Sequence, residues 1–144
     1  KQNLAITGSI NQKGELQPIG GVNEKIEGFF SVCKARKLTG DQGVVIPRSN
    51  VKNLMLKKEV VEAARKGVFR VYAAGTLDEA LEVLTGMPAG DRDPEGSYPE
   101  GTFNFLVDRK LRDMAKKLKS EEKQEAKDKE KKEENNDTPP KEQK

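Results

Sequence analysis

The apolar residues of this chain alternate between short extended runs and longer stripes with helical spacing. The extended runs lie at residues 4–10, 15–19, 44–46 and 69–72. The helical stripes lie at residues 22–36, 49–66 and 77–85. Strands that alternate with helices predict an α/β fold with right-handed crossovers. We therefore expect a β-hairpin made by the first two runs, followed by alternating helices and strands in a mixed, partly parallel sheet.

Turn and capping residues predict where these elements end. The continuous apolar run at residues 44–46, which stops at Pro47, is typical of a strand that is buried on both faces. The residues expected to cap or end helices are Ser49 or Asn50, Gly67, Thr76 with Glu79, and Gly86.

The C-terminal part of the chain changes character. Residues 87–101 are rich in glycine, proline and acids, and this composition predicts a loop. Residues 102–119 have helical spacing and predict an amphipathic helix that packs against the body or a neighbouring subunit. We expect residues 120–144 to be a charged, disordered tail, with a single solvated helix as the alternative.

Two glycines, Gly20 and Gly21, separate the second extended run from the first helical stripe. Glycine readily adopts positive φ, so the pair predicts a strand-to-helix turn. The stripe of this first helix contains Val22, Ile26, Phe29, Phe30 and Cys33. At about 100° per residue, Lys25 lies at the border of this stripe, and we expect its side chain to be half-buried. Glu24 points to the opposite side.

The amine of Lys25 is the group with the clearest chemical potential. An ammonium in the first turn of a helix meets the positive end of the dipole, and partial burial removes its water. Both effects favour the neutral amine, which is the form that a general base needs. The alternative is a lysine whose methylenes cover the stripe while its ammonium reaches water.

The composition excludes several kinds of site. The 144 residues fit one domain, and the net charge of +3 is small and dispersed, so we expect no nucleic-acid partner. The absence of histidine excludes a Ser/His/Asp triad and a His-containing zinc site in this chain. We expect no membrane segment, because no apolar run is long enough. The single cysteine, Cys33, fits a core position in a protein of the reducing cytoplasm.

Four motifs resemble the second half of the proteolytic domain of Lon-type ATP-dependent proteases, in particular the Lon-like bacterial proteins. They are A-I-T-G-S-I at residues 5–10 followed by Gly14, P-I-G-G-V-N-E-K at 18–25, V-V-I-P-R-S-N at 44–50 and T-L-D-E-A-L at 76–81. The resemblance covers residues 1–86. It implies that these residues form part of an α/β proteolytic domain whose fold is similar to a ribosomal-protein domain.

The resemblance also implies a serine/lysine dyad, in which a serine hydroxyl attacks the peptide carbonyl and a neutral lysine accepts its proton. In the family the lysine that closes P-x-G-G-x-x-x-K is the general base, and here that residue is Lys25. The threonine of the T-G pair, here Thr7, would position the amine of Lys25. The alternative for Thr7 is an ordinary β-branched strand residue.

The chain departs from the family's pattern at the nucleophile. The family's serine lies in a D-G-P-S-A-G-like segment well before the lysine, and this segment does not occur in the sequence. The nucleotide-binding motif G-x-x-x-x-G-K-S/T does not occur either. We therefore expect a fragment that is inactive alone. Ser9 is the nearest substitute in sequence, whereas Ser31 and Ser49 suit a helix surface and a helix cap.

For the full-length parent, the resemblance implies ATP with Mg²⁺, unfolded protein substrates and a homo-oligomeric ring, expected to be a hexamer, in the cytoplasm. A second hypothesis needs no catalysis: the chain is an interaction module that binds protease subunits or another protein. A third hypothesis, a nucleic-acid-binding α/β domain, is disfavoured because no basic stripe is interleaved with aromatic residues.

Overall fold

A three-stranded parallel sheet and a separate two-stranded ribbon form the framework of the molecule. The computed structural model describes residues 1–136, with side chains to residue 121. The strands are β1 Leu4–Ile6, β2 Ser9–Ile10, β3 Leu16–Gln17, β4 Gly43–Pro47 and β5 Arg70–Ala74. The helices are α1 Val22–Ala35, a 3₁₀ helix Arg48–Asn53, α2 Lys58–Arg65, α3 Leu77–Thr85 and α4 Phe103–Asn136. The predicted α/β class is confirmed.

Strand β4 lies at the centre of the sheet, between β1 and β5, and pairs with both in parallel. All of its residues are buried. Because side chains alternate along a strand, Val44 and Ile46 pack in the core beneath α1 and α2, whereas Val45 packs with Ala80 of α3 on the other face. The prediction of a strand with two buried faces is confirmed.

The first extended run, residues 4–10, is divided between two sheets. Its first part, β1, joins β4, and its last part, β2, forms the antiparallel hairpin with β3. The prediction of one continuous hairpin strand is therefore wrong. The β1–β4 series of hydrogen bonds ends with the N–H of Thr7 donating to the carbonyl of Val45 at 3.0 Å. The next bond would need an N–H from Pro47, which proline lacks, so the chain leaves the sheet there.

The predicted helix over residues 49–66 is also wrong in its first half. A 3₁₀ helix and an extended link precede α2. In the link, Leu54 and Leu56 are half-buried against the core, while Met55 between them is 85% exposed, which is the alternation of an extended chain. Neither Ser49 nor Asn50 caps a helix, because both lie within the 3₁₀ helix and Lys57 precedes α2. The side-chain amide of Asn50 is buried and bonded to Ile19 instead.

The predicted capping of α3 is confirmed at both ends. The hydroxyl of Thr76 accepts a hydrogen bond from the N–H of Glu79 at 3.2 Å, and Gly86 ends the helix with φ 76°. The carboxylate of Glu79 does not close the box on Thr76. It accepts instead from the N–H of Gly75 at 2.8 Å and pairs with Arg48 at 2.6 Å, which ties α3 to the 3₁₀ helix.

The beginning of α4 is fastened to the loop that follows α3. The N–H groups of Phe103 and Asn104 donate to the carbonyls of Pro88 and Ala89 at 2.9 and 3.0 Å. From residue 109 to residue 121 every side chain is exposed, so the helix leaves the body after its first turns. The prediction that this helix packs against the body holds only for those turns.

Helix α4 continues to Asn136, past the predicted boundary at residue 119. Residues 120–136, for which the sequence predicted either disorder or a solvated helix, are thus helical. Residues 137–144 lie outside the described part of the chain. Within the described residues, no helix is both long enough and apolar enough to cross a membrane.

Substitution of Ile26 tests whether the core lies beneath α1. Ile26 is fully buried, whereas Val32 on the same helix is 51% exposed. We expect Ile26→Ala to lower the free energy of unfolding by about 2–5 kcal/mol, because truncation leaves a cavity. Val32→Ala is the matched control and should change it by less than about 0.5 kcal/mol. Urea unfolding of both variants measures the two values, and equal losses would contradict the assignment of the core.

Candidate active site

The turn between β3 and α1 has the geometry that the glycine pair predicts. Gly21 precedes α1 with φ 66° and ψ 26°, in the left-handed region where glycine is favoured. Its carbonyl accepts the N–H of Lys25 at 3.1 Å, which closes the first turn of the helix. Lys25 therefore has a fixed backbone position one turn into α1.

The side chain of Lys25 is exposed, so the prediction that it is half-buried is wrong. The reason is the way α1 sits beside α2. Glu27 and Lys34 form ion pairs with Lys57 and Glu59 at 3.1 and 2.7 Å, which places α2 and its preceding link along one flank of α1.

The opposite flank of α1 carries Lys25 together with the exposed Val32, at about 160° from the paired flank by helical geometry. None of the ion pairs among the described side chains includes Lys25. Because α1 and α2 share one face of the sheet and α2 leads to β5, this flank faces the β1 side of the sheet.

Strand β1 forms the outer edge on that same side. Ile6 and Ile10 are 45% and 49% exposed, although both are large apolar residues. A shallow pocket of about 280 Å³ lies at this edge, lined by Ile6, Thr7, Gly8, Ile10 and Leu16. It opens toward the α3 face of the sheet, because Ile6 pairs with Val45 and Leu16 packs with Val45 and Ala80. We call the outer flank of α1, the β1 edge and this pocket the open side of the domain.

Thr7, the second predicted site residue, is half-buried and lines the pocket of the open side. Its backbone N–H is used in the β1–β4 ladder. Lys25 does not line this pocket, and no hydrogen bond between Thr7 and Lys25 occurs among the described residues. The structure thus places Thr7 at the β1 edge and Lys25 on the outer flank of α1, with no hydrogen bond that joins their side chains.

The candidate nucleophiles of this chain have ordinary structural partners. The hydroxyl of Ser9 donates to the side chain of Gln17 at 3.3 Å, and that of Ser31 donates to the carbonyl of Glu27 at 2.8 Å. Cys33 is 5% exposed, and burial raises the pKa of its thiol, so it is the core residue that the sequence predicts.

Sequence reasoning missed the polar side chains that hold the first turns of α1. Asn50 hydrogen-bonds the backbone of Ile19, and Asn23 accepts the N–H of Met55 at 3.0 Å. Glu27 accepts the N–H of Lys57 at 2.9 Å. The signal in the sequence was weak, because an asparagine in a short polar segment also suits a turn or a helix cap.

A family model described as the Lon protease C-terminal proteolytic domain matches residues 1–86, which include the turn, Thr7 and Lys25. The chain belongs to this family. The resemblance inferred from the four motifs is therefore confirmed.

Individual Lon relatives give the same result. A Lon protease homolog of Escherichia coli is 50% identical over 86 residues, which are 60% of this chain and 15% of the relative. A Lon protease homolog of Haemophilus influenzae is 39% identical over 114 residues, 79% of this chain and 19% of the relative. The archaeal Lon protease of Thermococcus kodakarensis is 32% identical over 83 residues, 58% of this chain and 11% of the relative.

This Lon-family chain spans less than a fifth of each of these relatives. The match to the Haemophilus protein is longer than the 86 residues of the family domain, so it reaches into the region of α4. Likeness to a Lon relative is thus not confined to the residues of the family domain.

Glu27→Gln tests the attachment of α1 to the link before α2. Hydrogen bonds from the N–H and the ammonium of Lys57 hold the pKa of the Glu27 carboxyl below its usual 4.5. A pKa that is lowered by folding stabilises the fold above the unfolded value, and this contribution is lost as the pH falls through the folded value. We expect the wild type to exceed Glu27→Gln in melting temperature at neutral pH, by a difference that shrinks in acid.

Thermal unfolding of both proteins at a series of pH values below and above 4.5 measures this difference. Glu24→Gln on the same helix is the matched control, since Glu24 is exposed and takes no part in the described ion pairs. A difference for Glu27→Gln that stays constant with pH would contradict the prediction.

Proposed function

We propose that this chain is part of an ATP-dependent serine endopeptidase of the Lon type and that Lys25 is its general base. The observation that carries the proposal is the position of Lys25. It lies in the first turn of α1, directly after the glycine pair, within the segment that matches the Lon proteolytic domain. Its side chain is exposed on the open side, where another part of a longer protein has room to approach.

The proposed reaction is a serine/lysine peptide hydrolysis. The neutral amine of Lys25 accepts the proton of a serine Oγ as that oxygen attacks the peptide carbonyl, and the ammonium then protonates the leaving amine. Water hydrolyses the acyl-enzyme in the second half of the cycle and returns the proton to the serine. The hydroxyl of Thr7 would hold the amine in position if closure of the open side brings the two side chains together.

The serine in this proposal comes from outside the chain. Ser9 and Ser31 are hydrogen-bonded within their own elements, and neither contacts Lys25 through a described hydrogen bond. A segment that carries the nucleophile and covers the open side would also remove water from Lys25, which favours the neutral amine that a base requires. The chain alone is therefore proposed to be inactive.

Dependence on ATP is proposed for the longer protein and not for a site in this chain. The sequence has no G-x-x-x-x-G-K-S/T loop to bind phosphates. Among the described residues there is also no cluster of three acidic, histidine or cysteine side chains suited to Mg²⁺. The residues present do not fit the nucleotide, so no step of the reaction is assigned to it here. The cytoplasmic hexameric ring and the unfolded protein substrates likewise belong to the proposed parent.

A domain exchange tests the base. Residues 1–86 of this chain replace the matching 86 residues of the Escherichia coli relative, which are 50% identical. We expect the chimera to degrade casein in the presence of ATP and Mg²⁺. Lys25→Ala should lower the rate by about two to four orders of magnitude, the usual contribution of a general base. Lys25→Arg should fail as well, because a guanidinium stays protonated.

Two controls accompany the exchange. The unaltered relative establishes that the assay detects cleavage, and Lys52→Ala changes an exposed lysine of the 3₁₀ helix that has no proposed role. Circular dichroism should show equal folding of all variants, since Lys25 is exposed. Full activity of a folded Lys25→Ala or Lys25→Arg chimera would overturn the assignment.

One observation favours a second candidate, an interaction module. The exposed stripe of α4 contains Leu106, Val107, Leu111, Met114 and Leu118, which are 38%, 39%, 59%, 51% and 59% exposed. Apolar residues at helical spacing on an uncovered helix are typical of a protein-binding face. This function needs neither Lys25 nor a serine.

Binding of the chain to the intact Escherichia coli relative, measured by sedimentation, tests this candidate. If α4 is the binding face, Leu111→Glu should weaken the complex by about tenfold or more, because it places a charge in the centre of the stripe. Lys110→Glu, at the neighbouring exposed polar position, is the control and should have a small effect. Absence of a complex at micromolar concentrations would exclude this partner.

A further inference from the structure

The side chain of Asn50 makes two hydrogen bonds to the backbone of a single distant residue. Its Oδ1 accepts the N–H of Ile19 at 3.0 Å, and its Nδ2 donates to the carbonyl of Ile19 at 2.9 Å. The two residues are 31 positions apart, and Asn50 is 3% exposed. The amide thus pairs with Ile19 as the backbone of a neighbouring strand would, by offering both a donor and an acceptor.

Ile19 directly precedes the glycine pair. Gly20 and Gly21 have no Cβ to restrict their backbone, and an added Cβ at Gly20 would have no heavy atom within 4 Å. A flexible pair at this point would let α1 start in several orientations relative to the sheet. A fixed Ile19 on one side of the pair removes that freedom.

The same part of the chain also holds the far side of the turn. Asn23 in the first turn of α1 donates to the carbonyl of Asn53 at 3.4 Å and accepts the N–H of Met55 at 3.0 Å. The 3₁₀ helix and the link after it therefore contact the chain just before the glycine pair and just after it. Lys25 follows two residues later, and its N–H closes the turn on Gly21.

We propose that Asn50 is a positioning residue for Lys25. It fixes Ile19, and through the glycine pair it fixes the direction in which the first turn of α1 presents the amine of Lys25 to the open side. The catalytic half of this inference rests on the proposed function of Lys25. The structural half, that Asn50 orders the turn and the first residues of α1, does not.

The structural half is tested by ¹⁵N relaxation on the 144-residue chain. In the wild type we expect the amide order parameter of Lys25 to lie near the rigid value of about 0.85, and in Asn50→Ala to fall toward the flexible value of about 0.6. Asn50→Asp keeps the volume and the acceptor but loses the donor to the Ile19 carbonyl, so it should show the same loss. If Asn50→Ala does not fold, Asn50→Asp takes its place in the measurement.

Ala80→Gly is the control for a general loss of stability. Ala80 is fully buried in α3, on the opposite face of the sheet from α1. Its replacement should lower the melting temperature while the order parameters of residues 20–25 stay at the wild-type values. Equal order parameters in Asn50→Ala and Ala80→Gly would overturn the proposal, because Asn50 would then contribute only to global stability.

The catalytic half is tested in the Escherichia coli chimera described above. A small displacement of a catalytic group can cost about 10²-fold in rate, so Asn50→Ala should lower kcat by about that factor with little change in KM. An unchanged kcat in a folded Asn50→Ala chimera overturns the catalytic half. If the unsubstituted chimera has no activity while the unaltered relative cleaves, the function proposed for Lys25 fails, and the relaxation measurement still decides the structural half.

Discussion

The double pairing and double burial of β4 is the constraint on which the rest of the structure depends. Its backbone is hydrogen-bonded to β1 on one edge and β5 on the other, and both of its faces are covered. An added Cβ at Gly43 would lie 2.5 Å from the carbonyl of Arg70, so the first residue of the strand has to be glycine for the chains to pair this closely. At the other end, Pro47 stops the ladder with β1 and sends the chain into the 3₁₀ helix that holds the turn before α1.

The two sides of α1 differ in a way that matters for the proposed chemistry. On the side of α2, the Glu27–Lys57 ion pair attaches the helix to the neighbouring link, and the side chains of Asn23 and Glu27 accept hydrogen bonds from the backbone of that link. On the open side the exposed residues include Lys25, Val32 and Ile6. The attached side fixes where the helix lies. The open side leaves the amine of Lys25 accessible, as its proposed role requires.

The Lon proteolytic family accounts for one part of this structure and not for the other. The family match covers residues 1–86, and these residues hold all five strands of the described part of the chain and its first three α-helices. Helix α4 lies beyond the family domain. Its first turns are fastened to the body, and its described side chains from residue 109 to residue 121 are exposed. The proposed peptidase function assigns no role to the exposed apolar stripe of α4. The second candidate, an interaction module, would explain why the stripe is exposed.

The sequence by itself determined the elements whose conformation follows from the local preferences and the periodicity of their own residues. The continuous run of β4, the cap at Thr76, the positive φ of Gly21 and Gly86 and the stripe of α1 all follow from local preference and periodicity. The four motifs between residues 5 and 81 also sufficed to identify the family, because their order and spacing are specific.

Only the tertiary structure decided which partner each segment takes. The division of residues 4–10 between two sheets depends on Pro47, about forty residues away in the chain, and the extended link at Leu54–Leu56 depends on the core that those side chains meet. Lys25 lies at the border of an apolar stripe in the sequence, but its exposure depends on which flank of α1 the link and α2 cover. Likewise, nothing in the residues next to Asn50 shows that its amide pairs with Ile19, because hydrogen bonds between distant parts of the chain form only once the sheet has brought them together.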